Sequence, residues 1–384
     1  MSHHERLIVS ADDIYWTNVG MPHHSRKVGF MLSMALSAVL CVFWTIPVSF
    51  VSSLTEVESL KKSIPFLENW INDAPWLQPA MEQVAPLMLL FLNLLLPFAL
   101  RQISKLEGHI ASSALEASLF IKLAAFMIIQ TFFVSAISGG IMAELNSILK
   151  RPSSFIDLLA NSLPAQSTYF VQIILVTTFF GQALELLRVY PLGMAWLRRR
   201  VGPNLTEKER NTTYMELHPL ADPMEFQHAE VFGQTILYFM VMFVYSTLAP
   251  MVNYFLAFCF LIMGSGYRHQ FVYNYPKNPD SGGKLWSGFI GIALTCMLVA
   301  QITLVGLLAL KKATFATPFL IPLMIITILF NLYIRLKHFR VTNHLPTRDC
   351  LKLDKQRHLK GKVNYEFLRN KYLQPALQPT HTVM

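Results

Sequence analysis

Polar side chains interrupt an apolar segment between residues 158 and 188, and six of them recur at intervals of three and four residues with one break. The six are Gln166, Tyr169, Gln172, Thr178, Gln182 and Glu185. Such spacing places side chains roughly on one stripe of a helix. A stripe of oxygen acceptors that ends in a carboxylate could replace the hydration water of a cation and favour cations over anions. The pattern therefore supports the hypothesis that this helix forms one wall of a cation pathway.

Two structural interpretations of the same residues remain open. The amide and hydroxyl groups could serve as hydrogen bonds between helices, and Glu185 could pair with Arg188 one helical turn away. Gly181 in mid-segment and the Gly139-Gly140 pair could be hinges for gating, or could allow close helix packing.

Four more polar residues stand within or beside neighbouring apolar segments. They are Asn93, Lys122, Gln130 and Glu144. A charge at the centre of a bilayer costs on the order of 2.5–3.5 kcal/mol, so such residues usually face a protein interior or a water-filled path. We include all four among the candidates for pore lining or gating. Lys122 could act as an electrostatic gate, or could only extend its ammonium to the membrane interface.

The segments that carry these residues have the length of membrane spans. A helix crosses the hydrocarbon core with about 20 apolar residues, and the charge-free runs cover 28–55, 83–100, 123–143, 158–184, 285–310 and 313–334. Residues 231–267 form a charge-free run of 37 residues, which predicts a helical hairpin that turns at Pro250. We predict an all-α polytopic membrane protein with about eight spans: a cytosolic segment at 1–27, a transmembrane region at 28–338 and a basic cytosolic tail at 339–384.

The distribution of basic residues predicts the orientation. Eight crossings place 25 of the 32 Lys and Arg residues on one side and 6 on the other. Since basic loops face the cytosol, both termini are predicted to be cytosolic. Membrane lipids are the expected partners of these scattered loop charges, and nucleic acid is not expected.

The predicted orientation gives the two N-glycosylation sequons a testable outcome. Asn204 and Asn211 begin the only Asn-x-Ser/Thr sequences, and both lie in a loop that we assign to the cytosol. Neither should carry glycan. A glycosidase-sensitive mobility shift that disappears in the Asn204/Asn211 double variant would overturn the orientation.

The sequence does not indicate enzyme chemistry, a cofactor or a metal centre. Charged residues make up 14% of the chain and hydrophobic residues 53%, which is far from the composition of soluble domains. The histidine pairs at 3–4 and 23–24 are adjacent and share no helix face, and G-x-S-x-G is absent. The four cysteines show no disulfide or metal spacing.

Four stretches of the sequence resemble one membrane family. They are Ala11-Asp12-Asp13-Ile14-Tyr15-Trp16-Thr17-Asn18, Leu106-Glu107-Gly108-His109, Ser167-Thr168-Tyr169-Phe170 running to Gly181-Gln182-Ala183-Leu184-Glu185-Leu186-Leu187-Arg188, and Val244-Tyr245-Ser246-Thr247-Leu248-Ala249-Pro250 running to Gly282-Gly283-Lys284-Leu285-Trp286. The chain resembles the osmosensitive, stress-gated, calcium-permeable cation channels. That family includes the hyperosmolality-gated channels of plants and is distantly related to anoctamins.

This resemblance implies an anoctamin-like architecture with an ion path through the first five spans present here, opened by membrane tension and permeable to Ca²⁺, K⁺ and Na⁺. It also implies that Glu185 matches an acidic position linked to permeation or gating, and that the host is the plasma membrane. Family members usually carry three more spans and a cytosolic domain before the Ala11–Asn18 motif, so we expect a fragment or a shortened form. Since that domain helps the plant channels to dimerise, homodimerisation stays open. A lipid scramblase and a non-conducting scaffold are the alternative functions.

Overall fold

The computed structural model describes residues 13–53, 88, 92, 95–134, 163–164, 166–215, 217–220, 225–276, 283–311, 313, 316–339 and 347–361. Within these residues the regular secondary structure is helical, with two isolated β-bridges. The helices are α1 (Trp16–Val19), α2 (His23–Ser53), α3 (95–105), α4 (Ser112–Val134), α5 (Ser167–Leu186), α6 (Val189–Val201), α7 (Glu207–Arg210), α8 (His228–Leu248), α9 (Met251–Tyr273), α10 (Lys284–Leu310), α11 (Ala316–Ile334) and α12 (Thr347–Leu359).

Six helices of the described chain are long and apolar enough to cross a membrane. These spans are His23–Pro47, Ser112–Val134, Ser167–Leu186, His228–Leu248, Leu285–Ala309 and Thr317–Phe339. The prediction of an all-helical polytopic membrane protein is confirmed. The number of eight spans stays a prediction, because most of the predicted span 83–100 lies outside the described residues.

The predicted hairpin is present, and its turn lies where the sequence placed it. Only Ala249 and Pro250 separate α8 from α9. The rings of Phe239 and Phe260, which are nearly equidistant from the turn, lie 5.9 Å apart, so the two helices pack side by side in opposite directions. α9 is not among the six helices above, so its return through the membrane as the second half of the hairpin stays a prediction. The helix extends beyond the charge-free run to Tyr273, and its 23 residues are about 34 Å long.

The predicted third span is corrected at its start. The charge-free run begins at Leu123, but α4 begins at Ser112 and includes Glu116 and Lys122. Both charges have partners, and Glu116 pairs with Arg101 at 2.7 Å. The length of a charge-free run therefore underestimates the length of a span whose charged residues are paired inside the protein. From Met127 to Val134 the turns of α4 widen into a π-helix.

Helix directions follow from contacts between the spans. On α4, Lys122 contacts Ser33 of α2, and Gln130 contacts Cys41 of α2. The residue numbers of the two partners increase together, so α2 and α4 run parallel. α5 and α8 run antiparallel, since Thr178 meets Tyr238 and the Leu163 carbonyl accepts a hydrogen bond from Tyr245. α8 packs against both α4 and α10, with an edge-on ring pair at the first contact and a tilted pair at the second. The core therefore lies around α4 and α8.

Candidate functional site

The first polar site is a buried ion pair that joins three helices. The ammonium of Lys122 on α4 pairs with the carboxylate of Glu107 in the turn after α3, and the two side chains are 5% and 1% exposed. The same ammonium donates to the hydroxyls of Ser33 on α2 at 2.7 Å and Ser104 on α3 at 2.9 Å. Lys122 therefore does not extend to the membrane interface.

Glu107 is the centre of this site, which we call the Lys122–Glu107 cluster: Ser33, Ser104, Glu107, His109, Ser118 and Lys122. Its carboxylate accepts hydrogen bonds from Ser33 at 2.7 Å and Ser118 at 2.8 Å, and contacts the ring nitrogen of His109 at 2.6 Å. Burial alone raises the pKa of Glu107, but the hydrogen bonds from His109, Lys122, Ser33 and Ser118 outweigh burial and lower it to about 2. The carboxylate is therefore ionised at neutral pH.

The turn that presents Glu107 is held by the segment before α2. Gly108 has a φ of +63°, which favours glycine. Asp13 accepts from the backbone N–H of Ser113 at 2.9 Å and so caps α4, while the Asn18 amide donates to the His109 carbonyl at 2.8 Å. Two of the stretches that carried the family resemblance therefore meet at this turn.

Glycine is required at position 29 because the backbone of α2 lies very close to the backbone of the same turn there. A Cβ atom at this position would overlap the backbone carbonyl oxygen of Leu106. We expect Gly29→Ala to destabilise the purified protein by about 1–3 kcal/mol, because the backbone cannot move aside cheaply. Thermal unfolding measures the change, and Gly20→Ala is the matched control, since a Cβ at Gly20 meets nothing within 4 Å. Equal unfolding temperatures for the two variants would contradict this packing.

A second polar contact joins α2 and α4 further along the membrane. The Gln130 amide, in the π-helical part of α4, donates to the Cys41 carbonyl and to the Thr45 hydroxyl, the latter at 2.8 Å. Its side-chain oxygen is buried without a hydrogen-bond partner among the described residues. Two of the predicted candidates, Lys122 and Gln130, thus hold α2 against α4.

Three other candidates face α8 and α9. The Thr178 hydroxyl lies 2.8 Å from the Tyr238 hydroxyl of α8, and the buried Gln182 oxygen lies beside Gly266 of α9. The Glu185 carboxylate accepts a hydrogen bond from the Tyr275 hydroxyl, just after α9. Thr178 thus joins α5 to α8, while Gln182 and Glu185 form the α5–α9 contact.

One further hydrogen bond strengthens this contact at the end of α5. The Gln270 amide donates to the backbone carbonyl of Glu185 at 3.0 Å. Burial and the hydrogen bond to Glu185 raise the pKa of Tyr275, so its hydroxyl stays protonated and continues to donate. The carboxylate of Glu185 is bound by Tyr275, and the described residues contain no ion pair between Glu185 and Arg188.

The prediction of a single polar stripe on α5 is wrong in detail. Tyr169 and Thr178 are nine residues apart, which is about two and a half turns, so they lie on opposite sides of the helix. Tyr169 is buried beside Phe170, whose ring meets Phe132 of α4 at 5.2 Å. Gln172 is half-buried. At Gly181 a Cβ would meet nothing within 4 Å, so close packing does not require glycine there.

Asn93 and Glu144 lie outside the described residues, so their roles stay predictions. Sequence reasoning missed Glu107, His109 and Tyr275 as site residues. The signal for Glu107 was indirect: a lysine within a membrane helix needs a counter-ion, and Glu107 was the acidic residue of the quoted Leu106–His109 stretch. No such signal existed for Tyr275.

The fold and these contacts define the class of protein: a multi-pass helical membrane protein whose spans are joined by buried polar and ionic side chains. Residues 30–308 match the family model described as the 7TM region of a calcium-dependent channel. Since this match covers most of the chain, the protein belongs to that family.

Curated relatives from Arabidopsis thaliana are consistent with this assignment. The chain is 31% identical to hyperosmolality-gated Ca²⁺ permeable channel 1.8 over 371 residues, which cover 94% of this chain and 44% of that protein. Identity is 30% with channel 1.6, covering 95% and 48%, and 27% with channel 1.3, covering 96% and 47%. The chain thus spans about half the length of the curated relatives it matches.

Proposed function

We propose that this chain forms the transmembrane pore module of a calcium-permeable, nonselective cation channel that opens under osmotic or mechanical stress. The observation that carries the proposal is the family match over residues 30–308, supported by relatives whose names state hyperosmolality gating and calcium permeability. Ca²⁺, K⁺ and Na⁺ are the proposed permeant ions. The proposed location is the plasma membrane, with both termini in the cytosol.

The contacts suggest how the candidate residues would act in gating. Membrane tension favours the state with the larger area, so opening requires some helices to separate. The Lys122–Glu107 cluster and Gln130 resist separation of α2 from α4. Thr178 resists separation of α5 from α8, and Gln182 and Glu185 resist separation of α5 from α9. We propose that these contacts set the tension at which the path opens. Asn93, Glu144, Tyr169, Gln172 and Gly181 remain proposed pore or hinge residues.

A cellular calcium measurement tests the function. Cells that display the protein at their surface and contain a cytosolic calcium indicator are exposed to hyperosmotic medium. We expect a rapid calcium rise that depends on external Ca²⁺ and is absent from untransfected cells. Surface protein without any calcium rise would contradict the proposal. Lipid flip without ionic current would indicate a scramblase instead, and neither activity would indicate a scaffold.

A further inference from the structure

An open groove runs along one face of α9, the returning helix of the hairpin. It has a volume of about 570 Å³, and its lining residues all belong to α9. They are Phe260, Leu261, Gly264, Ser265, Arg268, His269, Val272 and Tyr273. Their pairwise repeat every four residues places them on a single side of the helix.

The opposite side of α9 is the side that packs within the protein. Val252, Leu256, Cys259, Met263, Gly266 and Gln270 are buried, and α5 is the main neighbour of this helix. The groove therefore points away from the part of the bundle that the structure describes. We infer from the predicted return of α9 through the membrane that the groove faces lipid.

The middle of the groove is a notch between exposed apolar side chains. Gly264 has no side chain, and Ser265 directs its hydroxyl back to the Ile262 carbonyl at 2.9 Å, so neither projects far. Leu261 and Val272, on either side along the helix, are 73% and 67% exposed. An acyl chain could fill this notch without leaving a polar group unsatisfied.

The end of the groove away from the hairpin turn is cationic. Arg268 is exposed, and no carboxylate pairs with it among the residues that the structure describes. It follows Met251 by 17 residues, about 26 Å along the axis, which places it near one edge of a hydrocarbon core about 30 Å thick. His269 lies beside it, and its ring packs at a tilt against Tyr273 with ring centroids 4.8 Å apart. A guanidinium at this depth is suited to a phosphate group.

We propose that the α9 groove binds one anionic glycerophospholipid, with its phosphate on Arg268 and an acyl chain in the notch at Gly264 and Ser265. The charge favours an anionic lipid, because Arg268 has no protein counter-ion in the described chain and a choline headgroup brings a cation of its own. The leaflet is the one beside the C-terminal end of α5, where Glu185 lies at the same depth. The site depends on α9 crossing the membrane and not on ion conduction.

Native mass spectrometry of the delipidated protein tests the site, with phosphatidylglycerol and phosphatidylcholine as probes. We expect the first phosphatidylglycerol to bind more tightly than phosphatidylcholine, and Arg268→Gln to weaken phosphatidylglycerol binding about tenfold or more, since a hydrogen bond to a charged group is lost. Gly264→Leu should weaken both lipids by filling the notch. This variant should fold, because a Cβ at Gly264 meets nothing within 4 Å.

Matched controls separate the site from general lipid contact. Arg348→Gln removes an exposed cation on α12, and Gly20→Leu adds the same side chain at another open glycine, so both should bind phosphatidylglycerol as the unchanged protein does. Equal affinity in Arg268→Gln and the unchanged protein would overturn the headgroup contact. Equal affinity for the two lipids would overturn the charge preference, and unchanged binding by Gly264→Leu would overturn the notch. None of these results depends on whether the chain conducts ions.

Discussion

Replacing Lys122 with methionine is expected to lower the unfolding temperature of the purified protein strongly. The Glu107 side chain is 1% exposed, and the substitution leaves its carboxylate buried without its cationic partner. Breaking one side of a buried ion pair typically costs about 3–5 kcal/mol. Loss of the Lys122 hydrogen bonds to Ser33 and Ser104 adds to the effect. Thermal unfolding in detergent, followed by size-exclusion chromatography, measures the change.

A double variant distinguishes the ion pair from simple packing. Lys122→Met combined with Glu107→Gln removes both charges, so its unfolding temperature should lie above that of Lys122→Met alone. Lys355→Met, which removes an exposed lysine on α12, should leave stability unchanged. If Lys122→Met were as stable as Lys355→Met, or the double variant no better than the single one, the cluster would not hold the three helices together.

Glu185→Gln is expected to lower single-channel conductance or the preference for calcium severalfold. A fixed negative charge beside an ion path concentrates cations there, and glutamine removes that charge while keeping an oxygen that can accept from Tyr275. Conductance and the reversal potential under a calcium gradient measure the two quantities. Currents with unchanged amplitude and unchanged reversal potential would exclude a permeation role for Glu185.

Tyr275→Phe is the matched variant for the structural part of this contact. It removes the hydrogen bond to Glu185 but leaves the carboxylate in place. We expect the reversal potential to stay the same and the gating tension to fall, since the α5–α9 contact is weaker. A changed calcium preference in Tyr275→Phe would mean that the Glu185 charge acts only when this hydrogen bond holds it.

The local features of the fold could be predicted from the sequence. A charge-free run of 37 residues is too long for one crossing. Since proline lacks the N–H that continues a helix, the sequence predicts a turn at Pro250. The structure places Ala249 and Pro250 between α8 and α9. Apolar length likewise predicted the spans, because the bilayer imposes it on every crossing helix.

Contacts between distant parts of the chain could not be predicted in this way. Lys122 meets Ser33 across 89 positions and Glu107 across 15, and no helical spacing relates these residues. The six-residue gap between Gln172 and Thr178 is not a whole number of helical turns. The polar side chains of α5 before this gap therefore lie on a different side of the helix from those after it, although the spacing on each side of the gap is three or four residues. Which side faces a partner helix depends on tertiary packing.

Electrical recording from the purified chain in tensioned lipid bilayers tests whether this protein is a tension-gated cation channel. Patches excised from reconstituted liposomes are stretched by suction while calcium and potassium gradients are imposed. We expect cation currents that grow with tension and reverse at a potential that shows calcium permeability. Patches that stay electrically silent at all tensions short of rupture, although incorporation of folded protein is verified, would contradict it.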